Sequence, residues 1–356
     1  MYQIDYDRPI HVHFIGIGGI SMSGLAEVLL DRGFVISGSD NTKSEITEKL
    51  EAKGMLISYP QSAENITDDI ELVVYTAAIH PDNPEYRAAE DAGLPMLSRA
   101  QLLGQMMSHY GDSIAVAGTH GKTTTTSMIA EILLHADADP TISVGGILES
   151  IQSNIRVGRS DVFLIEACEY TNSFHEFYPR YSVILNVEED HMDFFHDIDE
   201  IRESFHRFAQ NTHPDGALFI GGDIPNKDMV TRELSCDVVT FGFDEGYDYH
   251  PADISFDDHG RASFTPVERG ERLPRIALSV PGRHNIGNAL AAIGVARSMG
   301  IDMETVAAAL RDFGGAKRRF EYKGTYNGAV IIDDYAHHPT EIAASLDAAG
   351  DYPHRR

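Results

Sequence analysis

The sequence predicts an α/β protein in which parallel strands alternate with the helices that cover them. Three observations carry that expectation. Short apolar runs such as His11-Val-His-Phe-Ile15, Leu72-Val-Val-Tyr-Thr76 and Tyr181-Ser-Val-Ile-Leu-Asn186 read as buried strands. Patterns of helical period lie between them. Two of the runs end in glycine turns, Gly16-Ile-Gly-Gly19 and Gly118-Thr-His-Gly121, and each turn leads at once into a helical pattern.

In chain order, the strand at His11–Ile15 and its glycine turn precede a helix from Met22 to Arg32, ended by Gly33. Val35-Ile-Ser-Gly-Ser-Asp40 is a second strand with an acid at its C-terminal end. Leu72–Thr76 is another, followed by the Ala77–Pro81 loop and a helix near Pro84 to Ala92. A second unit starts at about Ser113: the apolar run from Ile114, the second glycine turn, then a helix through Met128, Ile129, Ile132 and Leu133. Asp161-Val-Phe-Leu-Ile-Glu166 and Tyr181–Asn186 are further strands, each ending in a polar residue. The stretch from Ala217 to about Leu278 reads as strands and turns. Pro281-Gly-Arg-His-Asn285 opens a helix, Met303 to Leu310 forms another, and Phe313-Gly-Gly315 is a linker. Beyond it come the strand Val330–Asp333, a His-rich loop and a helix near Thr340 to Ala349.

Composition bounds the function. The chain has 356 residues and 28 basic against 55 acidic side chains, a net charge of −27. That surplus argues against nucleic acid or an anionic membrane surface as a partner. Ile129–Leu134, interrupted by Glu131, falls far short of a membrane span. Cys168 and Cys236 offer neither a disulfide framework nor metal spacing. The acidic opening Met-Tyr-Gln-Ile-Asp-Tyr-Asp-Arg shows no signal peptide, so a cytoplasmic protein is expected. Any anionic ligand must then be held by local features: glycine turns, helix N-termini, a divalent cation and a few placed cations.

The second glycine turn has that chemistry. Backbone N–H groups of Gly118, Thr119, His120 and Gly121 can curl around phosphate oxygens, helped by the helix N-terminus. Lys122 would reach the β/γ-phosphates of ATP, and the Thr123 hydroxyl would sit on Mg²⁺. The strict P-loop consensus wants glycine where Val116 stands. The first turn, Gly16, Gly18 and Gly19 with Asp40 after the next strand, resembles a dinucleotide fingerprint whose third glycine is replaced by Ser21. A nicotinamide dinucleotide, another diphosphate and a purely structural turn all remain open from these residues. Glu166 and Glu169 follow a buried strand, the usual place for a Mg²⁺ ligand. His191, in Asn186-Val-Glu-Glu-Asp-His191-Met-Asp193, has the same placement and could ligate a second ion or orient a phosphate.

Taken together, these motifs resemble the Mur ligases of bacterial cell-wall synthesis. The resemblance runs from about His11 to the end of the chain. It rests on Gly16–Gly24, Gly118–Thr126, Glu166-Ala-Cys-Glu169, Asn186–Asp193, Gly282-Arg-His-Asn285-Ile-Gly-Asn288-Ala and Asp333-Asp-Tyr-Ala-His-His-Pro-Thr-Glu341, in that order. It implies a Rossmann-like first domain over 1–107 that binds the UDP-sugar diphosphate at Gly16, Gly18 and Gly19 with Asp40. A central P-loop-type ATPase domain over 108–313 and the start of a third, Rossmann-like domain over 314–356 would follow. ATP would then lie on Gly118–Thr124. Lys122 would contact the γ-phosphate, Thr123 and Glu166 one Mg²⁺, and His191 the other. Asn285 and Asn288 would face adenine, and Arg319, Asp334 and His338 would arrive from the third domain and its approach. The implied substrates are UDP-N-acetylmuramate and L-alanine. An activated acyl phosphate is needed because a free carboxylate has no adequate leaving group, and His191 is a candidate for the base that takes the amine proton. Oligomeric state is not legible.

Relatives carry a full third domain, so the chain is expected to be a truncated form, with weak or no ligation and a tail after Gly315 that is mobile or irregularly docked. A nicotinamide-dependent oxidoreductase, a non-catalytic UDP-sugar-binding protein and a sibling ligase for another amino acid or a peptide are the competing readings.

Overall fold

A computed structural model describes residues 2–76 and 78–352. Ala77 of the expected loop lies outside them. The chain divides into two units, residues 1–109 and 110–356.

The first unit runs β1 (His11–Ile15), α1 (Ile20–Asp31), β2 (Val35–Ser39), α2 (Glu45–Ala52), β3 (Leu56–Ser58), β4 (Leu72–Tyr75), α3 (Pro84–Asp91), β5 (Met96–Ser98) and α4 (Arg99–Met107). All five strands are parallel, in the order β3-β2-β1-β4-β5. The central strand β1 is buried along its whole length, as an apolar run covered on both faces must be. Helix starts follow local chemistry. Ser44 and Thr47 form a capping box at α2, and Asn83 caps α3 ahead of Pro84.

The second unit runs β6 (Asp112–Ala117), α5 (Lys122–His135), β7 (Thr141–Leu148), β8 (Ser153–Arg156), β9 (Val162–Glu166), β10 (Tyr181–Ile184), α6 (Ile198–Gln210), β11 (Ala217–Gly221), α7 (Asp228–Thr231) and β12 (Asp237–Phe241). It continues with β13 (Tyr249–Phe256), β14 (Arg261–Glu268), β15 (Glu271–Arg272), β16 (Ile276–Pro281), α8 (His284–Ser298), α9 (Met303–Asp312), β17 (Glu321–Tyr326), β18 (Ala329–Asp333) and α10 (Pro339–Gly350). One large sheet has the order β15-β14-β13-β12-β11-β10-β6-β9-β7-β8, with β16 on β14. Its centre is parallel, and β7–β8 and β13–β16 close the two ends with antiparallel pairs.

The core of this unit packs Ile114 and Val116 against Met128, Ile129, Ile132 and Leu133 of α5 and Ile286, Leu290 and Ile293 of α8. The run Ala289-Leu-Ala-Ala-Ile-Gly-Val-Ala296 is buried throughout, because small residues let α8 lie close to its neighbours. Among the described residues no helix is long and apolar enough to cross a membrane.

The segment after Gly315 departs from the expectation of irregular docking. It forms a two-stranded antiparallel hairpin, β17–β18, and the twelve-residue helix α10. Val330–Asp333 was expected as a lone strand. Its partner β17, Glu321-Tyr-Lys-Gly-Thr-Tyr326, is polar, contains glycine and is mostly exposed, so it carries little strand signal. Ala348 is the buried residue of α10, while Ile342, Leu346, Tyr322, Tyr326, Val330 and Ile331 are exposed. α10 is instead attached by polar contacts: Thr340 Oγ1 donates to Glu188 Oε2 at 2.7 Å, and Glu341 Oε1 lies 3.5 Å from His120 Nδ1.

Candidate functional site

Strands β6, β9 and β10 lie side by side, so the loops at their C-terminal ends converge. In open parallel sheets this edge is where ligands are held. The β6–α5 loop is fastened to the β10 loop through Asn186. Its Oδ1 accepts from His120 N (2.7 Å), its Nδ2 donates to His120 O (3.1 Å), and its own carbonyl accepts from Thr119 N (3.3 Å). The Thr119 hydroxyl is also committed, accepting from Glu188 N at 2.9 Å. The first bond of α5 runs from Thr125 N to Gly121 O, which leaves the amides of Lys122, Thr123 and Thr124 without helical partners, turned toward any anion at the helix N-terminus. Gly121 has φ +80°, and a Cβ there would stand 2.7 Å from Asn288 Oδ1, so the turn admits only glycine at low cost.

Two side-chain groups flank this helix start. In one, the Lys122 ammonium donates to both oxygens of Glu169 (3.1 and 2.9 Å) and to the carbonyls of Gly118 and Thr119. His191 belongs with it: Nε2 is 4.0 Å from Glu169 and 3.8 Å from Asp190. The His191 backbone is left-handed (φ +53°), held so by its N–H on Asp190 Oδ1 and by Phe194 and Phe195 amides on its carbonyl. Tyr170 packs against the imidazole with ring centroids 4.6 Å apart and the rings tilted by 35°. In the other group, Thr123 Oγ1 donates to Glu166 Oε1 at 3.1 Å, Arg319 Nη2 stands 3.4 Å from the same hydroxyl, and Gly145 N donates to Glu166 Oε2 at 2.6 Å.

Beside the loop lies a cavity of about 390 Å³. Of the residues predicted to hold nucleotide, His120, Gly121, Thr124, Asn285, Asn288 and Asp334 line it, together with Arg319, predicted to take part in catalysis. Asn285 Nδ2 donates to Pro281 O (2.7 Å) and Asn288 Nδ2 to Asn285 Oδ1 (2.9 Å), which fixes both amides at the start of α8. Asp334 is engaged by its own chain, accepting from Phe320 N and Ala336 N at 2.8 and 2.7 Å. Burial pushes the imidazole of His284, also in the wall, below its ordinary pKa against the pull of Asp334. His338 is not among the lining side chains; it caps α10 and packs against His120 with ring centroids 4.3 Å apart and the rings tilted by 37°.

Four participants were not singled out from sequence: Glu341, Gly145, Tyr170 and Glu188. Burial raises the Glu341 carboxyl, yet the His120 contact, the His337 amide and the Arg319 guanidinium outweigh it and bring it down to about 2. Its spacing from Pro339 marks a helix first turn, but its partners come from residues far away in sequence.

The first glycine turn differs from expectation in which donors it leaves. The Gly16 and Ile17 amides are bonded to Ser39 O, Gly19 N to Gly16 O, and Gly18 N to Asp40 Oδ2 at 2.9 Å. The turn thus closes on itself and Asp40 acts as its brace. The amides of Ile20, Ser21 and Met22, ahead of the first α1 bond from Ser23 N to Gly19 O, are the ones placed for an anion.

Comparison with known proteins agrees with this arrangement. Models of the Mur ligase family catalytic domain, the Mur ligase middle domain and the Mur ligase glutamate ligase domain match residues 11–111, 116–296 and 318–356. A UDP-N-acetylmuramate–L-alanine ligase of Agathobacter rectalis is 60% identical over 356 residues, all of this chain and 78% of that protein. One from Lachnospira eligens is 57% identical, with the same coverage. Among solved structures, the UDP-N-acetylmuramate-alanine ligase of Thermotoga maritima superposes with a TM-score of 0.80 at 32% identity, covering 96% of this chain and 78% of that one. A murein peptide ligase of Psychrobacter arcticus gives 0.79 at 28% identity, covering 96% and 76%. With a phosphate-type loop, paired acids and an asparagine-lined cavity all on one sheet edge, and with relatives this close along its whole length, the chain belongs to the Mur ligase family.

Proposed function

We propose that the protein is an ATP-dependent ligase that joins L-alanine to the lactyl carboxylate of UDP-N-acetylmuramate in peptidoglycan precursor synthesis. The observation that carries this reading is Lys122 at the N-terminus of α5, next in sequence to the Thr123–Glu166 pair and on the loop whose His120 and Gly121 line the asparagine-lined cavity. The identity of 60 and 57% to two L-alanine ligases favours alanine over a peptide as the second substrate.

The chemistry sets the requirements. The lactyl carboxylate takes the γ-phosphoryl group of ATP, giving an acyl phosphate and ADP. The alanine amine then adds to the acyl carbon, and phosphate leaves as the amide forms and the amine proton is lost. In the first step two anions must be brought into line, so cationic and N–H donors at the transferring group dominate the rate. Lys122 exchanges Glu169 for the γ-phosphate, and the amides of Lys122, Thr123 and Thr124 bind the phosphate oxygens. Arg319 meets the transferring group from the other side of Thr123. Asn285 and Asn288 hold adenine in the cavity. In the first unit the sugar-nucleotide diphosphate lies on the α1 N-terminus behind Gly16, Gly18 and Gly19, with Asp40 bracing the turn.

The Thr123 hydroxyl and Glu166 carboxylate, 3.1 Å apart, are hard oxygen donors that would hold one Mg²⁺, and His191, beside Glu169 and Asp190, would hold the other. Held by these residues, Mg²⁺ would supply charge neutralisation for the phosphates.

Trapping with hydroxylamine tests the reading. With ATP, Mg²⁺ and UDP-N-acetylmuramate, an acyl hydroxamate of the sugar nucleotide is expected, together with ADP in equal amount. Tight nucleotide binding with no hydroxamate, or turnover of a nicotinamide cofactor, would overturn it.

A further inference from the structure

Three loops meet where the start of α10 packs against the phosphate-type loop, and each brings one metal-competent side chain. His120 comes from the β6–α5 loop, Glu188 from the loop after β10, and His338 from the residue that caps α10. One ligand atom from each lies within 4.8 Å of the other two. We propose that His120 Nε2, Glu188 and His338 Nδ1 form a binding site for a transition-metal dication of the Zn²⁺ class. It is distinct from the Thr123–Glu166 pair and from His191, and it ties α10 to the nucleotide loop.

Distances and tautomers both support the site. Zn–N and Zn–O bonds of about 2.0–2.1 Å in a tetrahedron place neighbouring ligand atoms about 3.3 Å apart. His120 Nε2 stands 3.4 Å from Glu188 Oε2, and His338 Nδ1 stands 4.0 Å from the same oxygen. Closing the second edge takes a small side-chain rotation.

A ligating imidazole also needs its other nitrogen protonated and held by an acceptor. Both rings have one. His120 Nδ1 faces Glu341 Oε1 at 3.5 Å, and His338 Nε2 faces the Glu189 carbonyl at 3.2 Å. Each arrangement leaves the lone pair on the nitrogen that looks toward Glu188. Thr340 Oγ1 donates to the same Glu188 Oε2 at 2.7 Å, which fixes that oxygen's position and leaves it a second lone pair for a metal. The bond a metal would displace is the 3.3 Å cap from Thr340 N to His338 Nδ1, a long one.

Two imidazoles and one carboxylate suit Zn²⁺ or Co²⁺ rather than Mg²⁺, which takes oxygen ligands and keeps its waters. A fourth position would be left to water, as in open three-ligand zinc sites. His120 and Glu188 also line the cavity, so an ion there sits at its wall.

The test uses the full chain, stripped with chelator and held in excess Mg²⁺ to fill the magnesium set. Co²⁺ and Zn²⁺ are titrated in, read by the visible cobalt bands and by competition with a chromophoric chelator. One ion per chain is expected, with the intense absorption of tetrahedral Co²⁺, and affinity at least about 10-fold weaker in His338→Ala and in Glu188→Gln. His191→Ala should bind as tightly as the parent. Zn²⁺ should also raise the thermal midpoint of the parent and not of His338→Ala, with circular dichroism confirming that each variant is folded. Equal affinity in the parent and both variants, a weak octahedral cobalt spectrum, or loss of the ion in His191→Ala would each overturn the site.

Discussion

Lys122 and Glu169 are both largely buried, at 14% and 2% side-chain exposure, and each satisfies the other. A buried charge left alone is costly, about 3–5 kcal/mol when one partner is removed. Lys122→Met is therefore expected to lower unfolding stability by about 3 kcal/mol and to slow acyl-phosphate formation by about 10²–10³-fold. Adding Glu169→Gln should restore much of the stability and none of the rate. Urea unfolding and single-turnover ADP release read the two effects, and a double variant no more stable than Lys122→Met would contradict the pairing. Gly145 makes a second residue-scale case. A Cβ at that position would stand 2.5 Å from both oxygens of Glu166, so Gly145→Ala must push the carboxylate aside. The Mg²⁺ concentration for half-maximal nucleotide binding should rise by about 10-fold or more, in the range seen when a supporting contact to a metal ligand is lost. An unchanged Mg²⁺ midpoint would count against Glu166 as a ligand.

At the scale of elements, attachment chemistry decides what moves. α10 buries Ala348 and is otherwise held through Thr340, His338 and Glu341. Glu341→Gln removes charge-assisted contacts worth about 1.5–3 kcal/mol locally. Hydrogen exchange in α10 should accelerate while the β6 and β10 amides stay protected, and equal protection in parent and variant would refute that picture. The turn from β12 to β13 is held by Asp248, which accepts from Thr240 N and Thr240 Oγ1 at 2.8 Å and from Arg269 Nε at 3.1 Å. Burial raises its pKa, but these bonds prevail and hold it below the ordinary 3.8. A depressed carboxyl contributes stability that is present above pH 3.8 and lost as pH falls through the lowered value. Asp248→Asn should flatten that acid limb of the stability curve, and an identical acid limb would show the bonds to be idle.

The elements also show what sequence reveals. Buried parallel strands such as β1, β6 and β10 are continuous apolar runs and are legible as such. β7 is not, because Gly145-Gly146 interrupts it; those glycines exist for Glu166 and Thr123, which approach from other elements. The same division holds at the site. Gly118–Thr123, Glu166 and Asn285–Asn288 are contiguous patterns whose chemistry is local. The bond from Lys122 to Glu169, the approach of Arg319 to Thr123 and the pairing of His120 with Glu341 depend on which strand ends the sheet order brings together.

For the whole molecule the governing fact is a charge of −27 on a protein proposed to take ATP and a UDP-sugar. Long-range electrostatics oppose the approach of both, and attraction is confined to helix N-termini and a few cations. Salt screens the long-range part within about 10 Å at 0.1 M, so the nucleotide association rate is expected to rise as ionic strength increases from about 0.01 to 0.1 M. Stopped-flow measurement with a fluorescent ATP analogue reads this directly; a steep fall with salt would mean a positive surface the account does not contain. The two glycine turns divide the ligands between them, ATP on one and the sugar nucleotide on the other, and a crystal structure with Mg²⁺ and a non-hydrolysable ATP analogue is the decisive check. Adenine is expected beside Asn285 and Asn288, with the γ-phosphate on Lys122 and the α5 amides. A triphosphate seated on the Gly16–Gly19 turn, or a γ-phosphate out of reach of Lys122, would contradict it.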